Sequence, residues 1–345
     1  MSNGEVPILA PPMPALADAV IFEAEVCGEH QKLYLAKDGS WVLERVDALS
    51  GGRQQVLGAS DAHRWLFEQV NPSELGDVDP EQHAELAKAC ESVPFWWHSI
   101  DLGHGVVTPG YKTPEILAAE VANMQLPDLS GRSVLDVGAF DGFFSFEAER
   151  RGATRVVALD HFCWCQDLTK LKPFGLSVRD GVAKRVEFSE VAPNFAAGRT
   201  PGKQGFDLAR QALGSRVEDR VIDYMQADFD ELGSFDVVFF LGVLYHMENP
   251  LEAMRQLARA THELAVIETE AIAIAGFEDA RLCEFYRGDE LQHDPTNWWA
   301  PNARAVEGLA LEAGFRRVEC LNPPDLQLLR PGELHHYRAV FHALK

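Results

Sequence analysis

The chain has 345 residues, which is enough for one large domain and a smaller one. Hydrophobic residues make up 46% and charged residues 24%, the ordinary range of folded proteins, so disorder is excluded as the default. Lys and Arg total 31 against 53 Asp and Glu, and this net charge of -22 argues against a nucleic acid partner, whose phosphates are bound mainly through Lys and Arg.

Membrane and metal partners are not indicated either. The first 20 residues hold no Lys or Arg, whereas a signal peptide begins with a positively charged region. The apolar run from Val237 to Tyr245 is too short to span a bilayer. The six cysteines are irregularly spaced, which predicts reduced thiols and a cytoplasmic location. Cys163 and Cys165 form a pair with no second pair to complete a zinc site, so we expect no metal.

Residues 1–75 are predicted to form a small β-rich module. After a Pro- and Ala-rich arm, short alternating runs such as "QKLYLAK" and "WVLERVDA" are separated by Asp-Gly and Gly-Gly, which is typical of hairpins. A helical pattern over 60–70 closes the module. Nothing in it indicates catalysis, so a structural addition is favoured, while contact with a second copy in a homo-oligomer, or a role at a substrate mouth, stays open.

Residues 76–125 are predicted to hold a linker helix over 80–92 and then an aromatic segment rich in Gly and Pro, "VPFWWHSIDLGHGVVTPGYKTPEIL". We interpret this segment as a lid that excludes water from an active site. The alternative is a hydrophobic strap over a sheet edge, but a His and an Asp are ill suited to a purely apolar strap. The candidates here are His98 and Asp101 for catalysis, with Trp97 and Tyr111 for substrate binding.

Residues 126–345 alternate strand and helix patterns, with apolar, β-branched strands such as "SVLDVGA", "RVVALD" and "FDVVFFLG". This alternation predicts a Rossmann-like α/β fold whose mostly parallel sheet is covered on both faces. The last two strands, "FRRVECL" and "YRAVFHAL", have no helix between them, which predicts an antiparallel hairpin at the C-terminal edge of the sheet.

The stretch "SVLDVGAFDGFFSFEAERRGATRVVALD" carries the strongest chemical signal. Asp136, Gly138 and Asp141 lie in a turn between a strand and a helix, and Asp160 ends the next strand. A carboxylate at Asp160 can accept both hydroxyls of a ribose. Because the carboxylates in the turn repel a pyrophosphate but suit an ammonium and a sulfonium, the charges favour S-adenosylmethionine over NAD.

These residues resemble motif I of the class I S-adenosylmethionine-dependent methyltransferases. The segments "FDVVFFLGVLYHMENPLEAMRQL", "FWWHSIDLGHGVVTPGYKT" and "DPTNWWAPNARAVEGLALEAGF" are similar to one branch, the tRNA wobble-uridine (5-oxyacetate-type) methyltransferases and their carboxymethyltransferase relatives. The resemblance covers residues 93–345 and leaves the N-terminal module unplaced.

The resemblance implies S-adenosylmethionine as cofactor and a set of residues that hold it. Phe140 stands where the family has its middle glycine, and an insertion over 166–204 follows the ribose strand; both depart from the family pattern. The residues implied to hold the cofactor are Asp136, Gly138, Phe140 and Asp160. Gln226 and Asp228 are implied to lie near the adenine, and Leu241 and Gly242 under the methionine part.

Methyl transfer requires alignment of donor and acceptor and the removal of one proton from the acceptor. His246 and Tyr245 follow a predicted strand at its carboxyl end, where ligands of open α/β sheets bind, so we expect His246 to act as the base. The alternative is that His246 caps the helix that begins near Asn249.

The acceptor pocket is expected to use Glu268, Asn297 and Trp298. Glu268 and Glu270 alternate along one strand and therefore share a face; core packing is the alternative for the tryptophans. The function expected is methylation of an oxygen or nitrogen of a small-molecule metabolite or natural product. The alternatives are tRNA wobble-uridine modification, other chemistry that consumes S-adenosylmethionine, and a binding protein on a decayed fold.

Overall fold

A computed structural model describes residues 19–26, 29–36, 40–47, 51–70, 78–170, 199–288, 290–291, 294 and 296–345. Its residues group into a four-stranded unit, drawn from 10–119 and 167–214, and a seven-stranded unit, drawn from 120–166 and 215–345. Most of the predicted insertion over 166–204 lies outside the described residues. Within the described ranges, no helix has the length and apolarity needed to cross a bilayer.

The four-stranded unit begins with an antiparallel sheet in the order β1-β2-β3-β4, formed by Ala19–Val26, Glu29–Leu35, Trp41–Asp47 and Gly51–Leu57. Helix α1, Ala59–Val70, follows and buries Trp65 and Leu66 against Leu33 and Leu43 of the sheet. The predicted β-rich module closed by a helix is thus confirmed. The predicted boundaries at residues 75 and 125 stay predictions.

Three further helices of this unit are α2 Pro80–Ser92, α3 Pro114–Asn123, which runs into the seven-stranded unit, and α5 Gln204–Ala212. Helix α2 has the predicted bounds because Asp79 accepts hydrogen bonds from the backbone N–H groups of Glu81 and Gln82, while Pro80 at the first position lacks an N–H that would need a partner.

The seven-stranded unit has the sheet order β12-β13-β9-β8-β5-β6-β7. Its strands are β5 Ser133–Val137, β6 Arg155–Asp160, β7 Glu218–Val221, β8 Phe235–Leu241, β9 Thr261–Ile274, β12 Arg317–Cys320 and β13 Leu334–Leu344. Its helices are α4 Phe143–Arg150, α6 Phe229–Leu232, α7 Pro250–Ala260 and α8 Ala303–Ala313, and a two-stranded sheet pairs β10 Cys283–Phe285 with β11 Trp299–Pro301.

Strands β5, β6, β7, β8 and β9 pair in parallel, whereas β13 runs antiparallel to both of its neighbours, β9 and β12. The mostly parallel sheet with an antiparallel C-terminal hairpin is therefore confirmed, with β13 inserted between β12 and the rest. The central strands are almost completely buried, as apolar strands covered on both faces must be.

Strand β9 is longer than the parallel strands beside it. It pairs with β8 only as far as Glu268, and its last six residues continue past that edge while still paired with β13. This extension places Glu270 and the start of β13 beyond the carboxyl ends of β5 and β8, the edge where ligands bind in such sheets.

Candidate active site at the carboxyl edge of the sheet

The turn after β5 is built around Gly138, whose φ of +75° is a left-handed conformation that glycine adopts without strain. A Cβ at this position would lie 3.0 Å from Cγ2 of Val243, which belongs to the turn after β8. The turns that follow the two adjacent strands therefore touch. A side chain at Gly138 would push them apart.

Three carboxylates are buried in and beside this turn. Asp136 accepts a hydrogen bond of 2.6 Å from the hydroxyl of Ser145, and Asp141 is only 2% exposed. Asp160 accepts hydrogen bonds of 3.0 Å from the backbone N–H groups of Phe140 and Cys163. Burial raises the pKa of Asp160 to about 6, so its carboxyl group is ionised at neutral pH. Three carboxylates in this arrangement fit a cationic ligand that contains a ribose.

Phe140 replaces a glycine of the family pattern at some conformational cost, because its φ of +52° is unusual for a side-chain-bearing residue. Hydrogen bonds on both sides hold it there. Its N–H donates to Asp160, and its carbonyl accepts a 2.5 Å hydrogen bond from the indole of the fully buried Trp164. Trp164 was not singled out from the sequence, and its bond fixes the backbone where the glycine is missing.

The pair predicted to lie near the adenine follows β7 at some distance. That strand ends at Val221, because Asp223 accepts a hydrogen bond from Met225 N–H and starts a 3-10 turn. Gln226 donates to Asp223, and Asp228 caps helix α6. Both side chains are exposed, and their cofactor contacts stay predictions.

The second turn of the site follows β8. Leu241 ends the strand, and Gly242, with a φ of +71°, donates its N–H to the carbonyl of Glu268 on β9. A Cβ on Gly242 would lie 3.5 Å from the hydroxyl of Tyr245 and 3.6 Å from the guanidinium of Arg338. The end of β8 is thus adjacent to a polar cluster on β9 and β13.

The centre of that cluster is Arg338, which sequence reasoning missed. It donates to both oxygens of Glu268 and lies 3.5 Å from Glu270, so the two carboxylates share a face as predicted. Its guanidinium also lies 4.7 Å from the ring centroid of Tyr245. Both carboxylates are at most 5% exposed, and burial raises the pKa of Glu270. The only signal for Arg338 was that it is the single arginine of the final strand, which also carries three histidines.

His246 is held by Thr296. Its Nδ1 lies 3.1 Å from the carbonyl oxygen and 3.0 Å from the hydroxyl oxygen of Thr296, and its ring centroid lies 4.2 Å from that of Tyr245. Burial lowers the pKa of His246, so the ring is neutral at neutral pH. A neutral imidazole is the form that accepts a proton.

The alternative that His246 caps the following helix is wrong. Asn249 occupies that position and accepts a hydrogen bond from the N–H of Glu252, with Pro250 at the first helical position. Asn before Pro is the usual start of a helix, and this pattern was readable in the sequence.

The segment that carries Thr296 also carries two predicted substrate residues. Asn297 is 3% exposed, and its amide donates to the carbonyl of Leu291. Trp298 donates its backbone N–H to the carbonyl of Tyr245, and its ring lies 6.4 Å from Phe285 in a stacked arrangement. The structure therefore brings both residues beside the turn after β8. Their contacts with a substrate stay predictions.

The aromatic segment predicted as a lid belongs to the four-stranded unit. Trp97 stacks on Tyr111 with ring centroids 4.9 Å apart, and His98 is 5% exposed. Asp101 accepts a hydrogen bond from the N–H of Gly103, which stabilises the local turn. The segment is thus an ordered hairpin-like strap, and its role as a lid stays a prediction.

A cavity of about 550 Å³ lies at the amino edge of the sheet, at the opposite end of the strands. It is lined by His262, Glu263, Arg316, Arg317, Leu344 and Lys345. None of the predicted site residues lines it. Asp136, Asp160 and His246 lie instead at or just beyond the carboxyl ends of β5, β6 and β8.

Comparisons with known proteins identify the family of the chain. Residues 111–320 match a family described as Methyltransferase domain. Among curated proteins, a tRNA U34 carboxymethyltransferase of Helicobacter pylori (strain Shi470) is 26% identical over 194 residues, 56% of this chain and 60% of that protein. A tRNA U34 carboxymethyltransferase of Cellvibrio japonicus is 23% identical over 269 residues, 76% of this chain and 69% of that protein.

Among solved structures, the N-terminal domain of EvdMO1 with SAH bound matches with a TM-score of 0.50 and 16% identity, over 78% of this chain and 98% of that one. At this identity the match shows a shared fold. The chain spans about 60% of the length of the Helicobacter relative.

Proposed function

The chain belongs to the methyltransferase-domain family, and on that premise we propose that it transfers a methyl group from S-adenosylmethionine to an oxygen or nitrogen of a small molecule. The predicted resemblance to methyltransferases is confirmed by the family match; the cofactor, the reaction and the acceptor belong to the proposal. One observation carries the proposal as a whole. The turn after β5 with its buried carboxylates touches the turn after β8, on which His246 and Tyr245 lie.

The residues of the first turn fit the cofactor. The buried carboxylates of Asp136 and Asp141 suit its positive charges, and Asp160 is placed to accept the ribose hydroxyls. When bound, S-adenosylmethionine supplies an electrophilic methyl group on a sulfonium. Gln226 and Asp228 are proposed to contact its adenine, and Phe140, Leu241 and Gly242 to pack against it.

His246 is proposed to accept the proton that the acceptor loses. Its neutral ring stands beside Tyr245, and burial raises the pKa of the Tyr245 hydroxyl, which therefore stays protonated and donates hydrogen bonds at neutral pH. Tyr245 orients the acceptor. Glu268, Asn297 and Trp298 are proposed to line the acceptor pocket, with Trp97, His98, Asp101 and Tyr111 as the lid.

Charge favours a small acceptor over tRNA. The net charge of -22 repels a polyanion, and two further buried carboxylates, Glu268 and Glu270, outnumber the single Arg338 between them. The names of the curated relatives favour the second candidate, modification of the tRNA wobble uridine. We further propose a cytoplasmic location, which the cysteine pattern supports, and a role in small-molecule biosynthesis, which follows from the proposed acceptor.

Methyl-deuterated S-adenosylmethionine separates the two acceptors. The protein is incubated with it and either a small-molecule extract or total tRNA, and the products are analysed by mass spectrometry. We expect deuterated methyl groups in a small molecule and none in tRNA nucleosides, with less label in the Asp160→Ala variant, whose cofactor affinity is weakened. Label in a tRNA nucleoside, with none in the extract, would overturn the choice of acceptor.

A further inference from the structure

The contact between His246 and Thr296 determines which ring nitrogen carries the hydrogen. Nδ1 of His246 lies 3.1 Å from the backbone carbonyl oxygen of Thr296. A carbonyl oxygen can only accept a hydrogen bond, so Nδ1 must be the donor. In a neutral imidazole with hydrogen on Nδ1, the other nitrogen, Nε2, keeps a free electron pair.

The hydroxyl of Thr296 reinforces the same arrangement. Its Oγ1 donates a 2.7 Å hydrogen bond to Oδ1 of Asp294, and the backbone N–H of Thr296 donates to the same oxygen at 2.8 Å. Because the hydroxyl hydrogen is directed at Asp294, the oxygen presents an electron pair to Nδ1 of His246, 3.0 Å away. Asp294 thereby orients both acceptors of the ring hydrogen.

Other groups around the ring raise or lower the pKa of His246. Burial and the charge of Arg338 lower the pKa of His246, whereas Asp294 and the Thr296 carbonyl raise it. The ring of Tyr245 lies alongside. Asp294 is therefore the nearby charge that keeps His246 basic in a buried position.

We propose that Asp294 and Thr296 are positioning residues that hold the hydrogen of His246 on Nδ1 and leave Nε2 as the proton acceptor. This inference rests on the proposed role of His246 as the base. In the reaction the acceptor O–H or N–H gives its proton to Nε2 as the new O–C or N–C bond forms and the S–CH₃ bond breaks. S-adenosylhomocysteine is then neutral at sulfur, and the His246 imidazolium later releases the proton to water.

The chain contains a matched turn elsewhere. Asp167 accepts hydrogen bonds from the N–H of Thr169 at 3.1 Å and from its hydroxyl at 2.6 Å, the same Asp-x-Thr geometry with Thr169 exposed. Asp167→Asn and Thr169→Val therefore make the same chemical changes as Asp294→Asn and Thr296→Val, at a turn that has no part in the proposed chemistry.

Nitrogen-15 NMR of the histidine side chains tests the proposal on the full chain without any acceptor. The His246 signals are identified by their absence in His246→Asn. We expect a neutral ring with hydrogen on Nδ1 in the wild type, a larger Nε2–H fraction in Thr296→Val, recovery in Thr296→Ser, and a lower measured pKa in Asp294→Asn. Hydrogen on Nε2 in the wild type would overturn the proposal. So would a His246 spectrum that Asp294→Asn and Thr296→Val change no more than Asp167→Asn and Thr169→Val do.

Turnover gives an independent readout once an acceptor is in hand. Thr296→Val should lower kcat about 2- to 10-fold, the size of one neutral hydrogen bond, and leave the KM for S-adenosylmethionine unchanged. Thr296→Ser should restore kcat. If His246→Asn leaves turnover intact, the base assignment fails while the NMR result stands. If His246→Asn is inactive and Thr296→Val equals Thr169→Val, the positioning role fails alone.

Discussion

The two turns at the carboxyl edge of the sheet hold their functional groups in different ways. The turn after β5 is local: Asp136, Gly138 and Asp160 lie within one strand-turn-helix-strand unit. The turn after β8 is assembled from distant segments, since His246 is bonded to Thr296 50 residues away and Arg338 to Glu268 70 residues away. The difference agrees with the two proposed roles: the local turn binds the cofactor, and the assembled turn carries the residues for proton transfer.

The largest expected effect concerns turnover at the assembled turn. His246→Asn should lower kcat by about 10²- to 10⁴-fold, the usual contribution of a positioned proton acceptor. Any loss of thermal stability should come from the contacts of His246 with Thr296 and Tyr245, because Asn249, not His246, caps helix α7. Tyr245→Phe is the comparison variant. A larger loss in Tyr245→Phe than in His246→Asn would move the proton-transfer role to the phenol.

The second prediction concerns stability. Arg338→Met should destabilise the protein by about 3–5 kcal/mol, because it leaves the buried carboxylates of Glu268 and Glu270 without their shared cation. Arg317→Met, which breaks the exposed pair with Glu319, should stay within about 0.5 kcal/mol of wild type. Urea unfolding curves measure both. Equal losses would mean that the Arg338 cluster is not a buried charge network.

The third prediction concerns the local turn. Asp160→Ala should weaken the binding of S-adenosylhomocysteine by about 1.5–3 kcal/mol, the scale of a hydrogen bond to a charged group. Asp228→Ala at the exposed helix cap provides a milder comparison. An Asp160→Ala protein that binds as tightly as wild type would remove the carboxylate from the ribose site.

The fourth prediction is a pH dependence. The pKa of Asp160 is raised to about 6 by burial, so its carboxylate is present above that pH and is lost as the pH falls through it. S-adenosylhomocysteine should therefore bind most tightly above pH 6 and weaken by up to about tenfold for each pH unit below it. Asp160→Asn should bind weakly with no such slope. A wild-type affinity that is flat from pH 7 to 5 would contradict the assignment.

The smallest effect is expected from the N-terminal module. Deleting residues 1–70 should leave the affinity for S-adenosylhomocysteine unchanged, because the cofactor residues all belong to the seven-stranded unit. Circular dichroism first establishes that the truncated chain is folded. Loss of affinity in a folded truncation would show that the module helps to build the cofactor site, whereas loss of turnover alone would make it a substrate module.

The same contrast explains what the sequence predicted. Strand and helix alternation and the residues of the first turn were readable because they depend on neighbours in the chain. Arg338, Thr296 and Asp294 were not found, since their partners lie on other strands and only folding brings them together. Asn249 is different: its Asn-Pro pattern is visible in the sequence, and it shows that the helix cap given as the alternative role of His246 belongs to Asn249.

The division between the two turns is tested most directly by titrating S-adenosylhomocysteine into wild type, Asp160→Ala and His246→Asn in one calorimetric series. We predict that Asp160→Ala loses affinity by about 10- to 150-fold, which corresponds to 1.5–3 kcal/mol, while His246→Asn binds as wild type does. Full affinity in Asp160→Ala together with a comparable loss in His246→Asn would contradict the account.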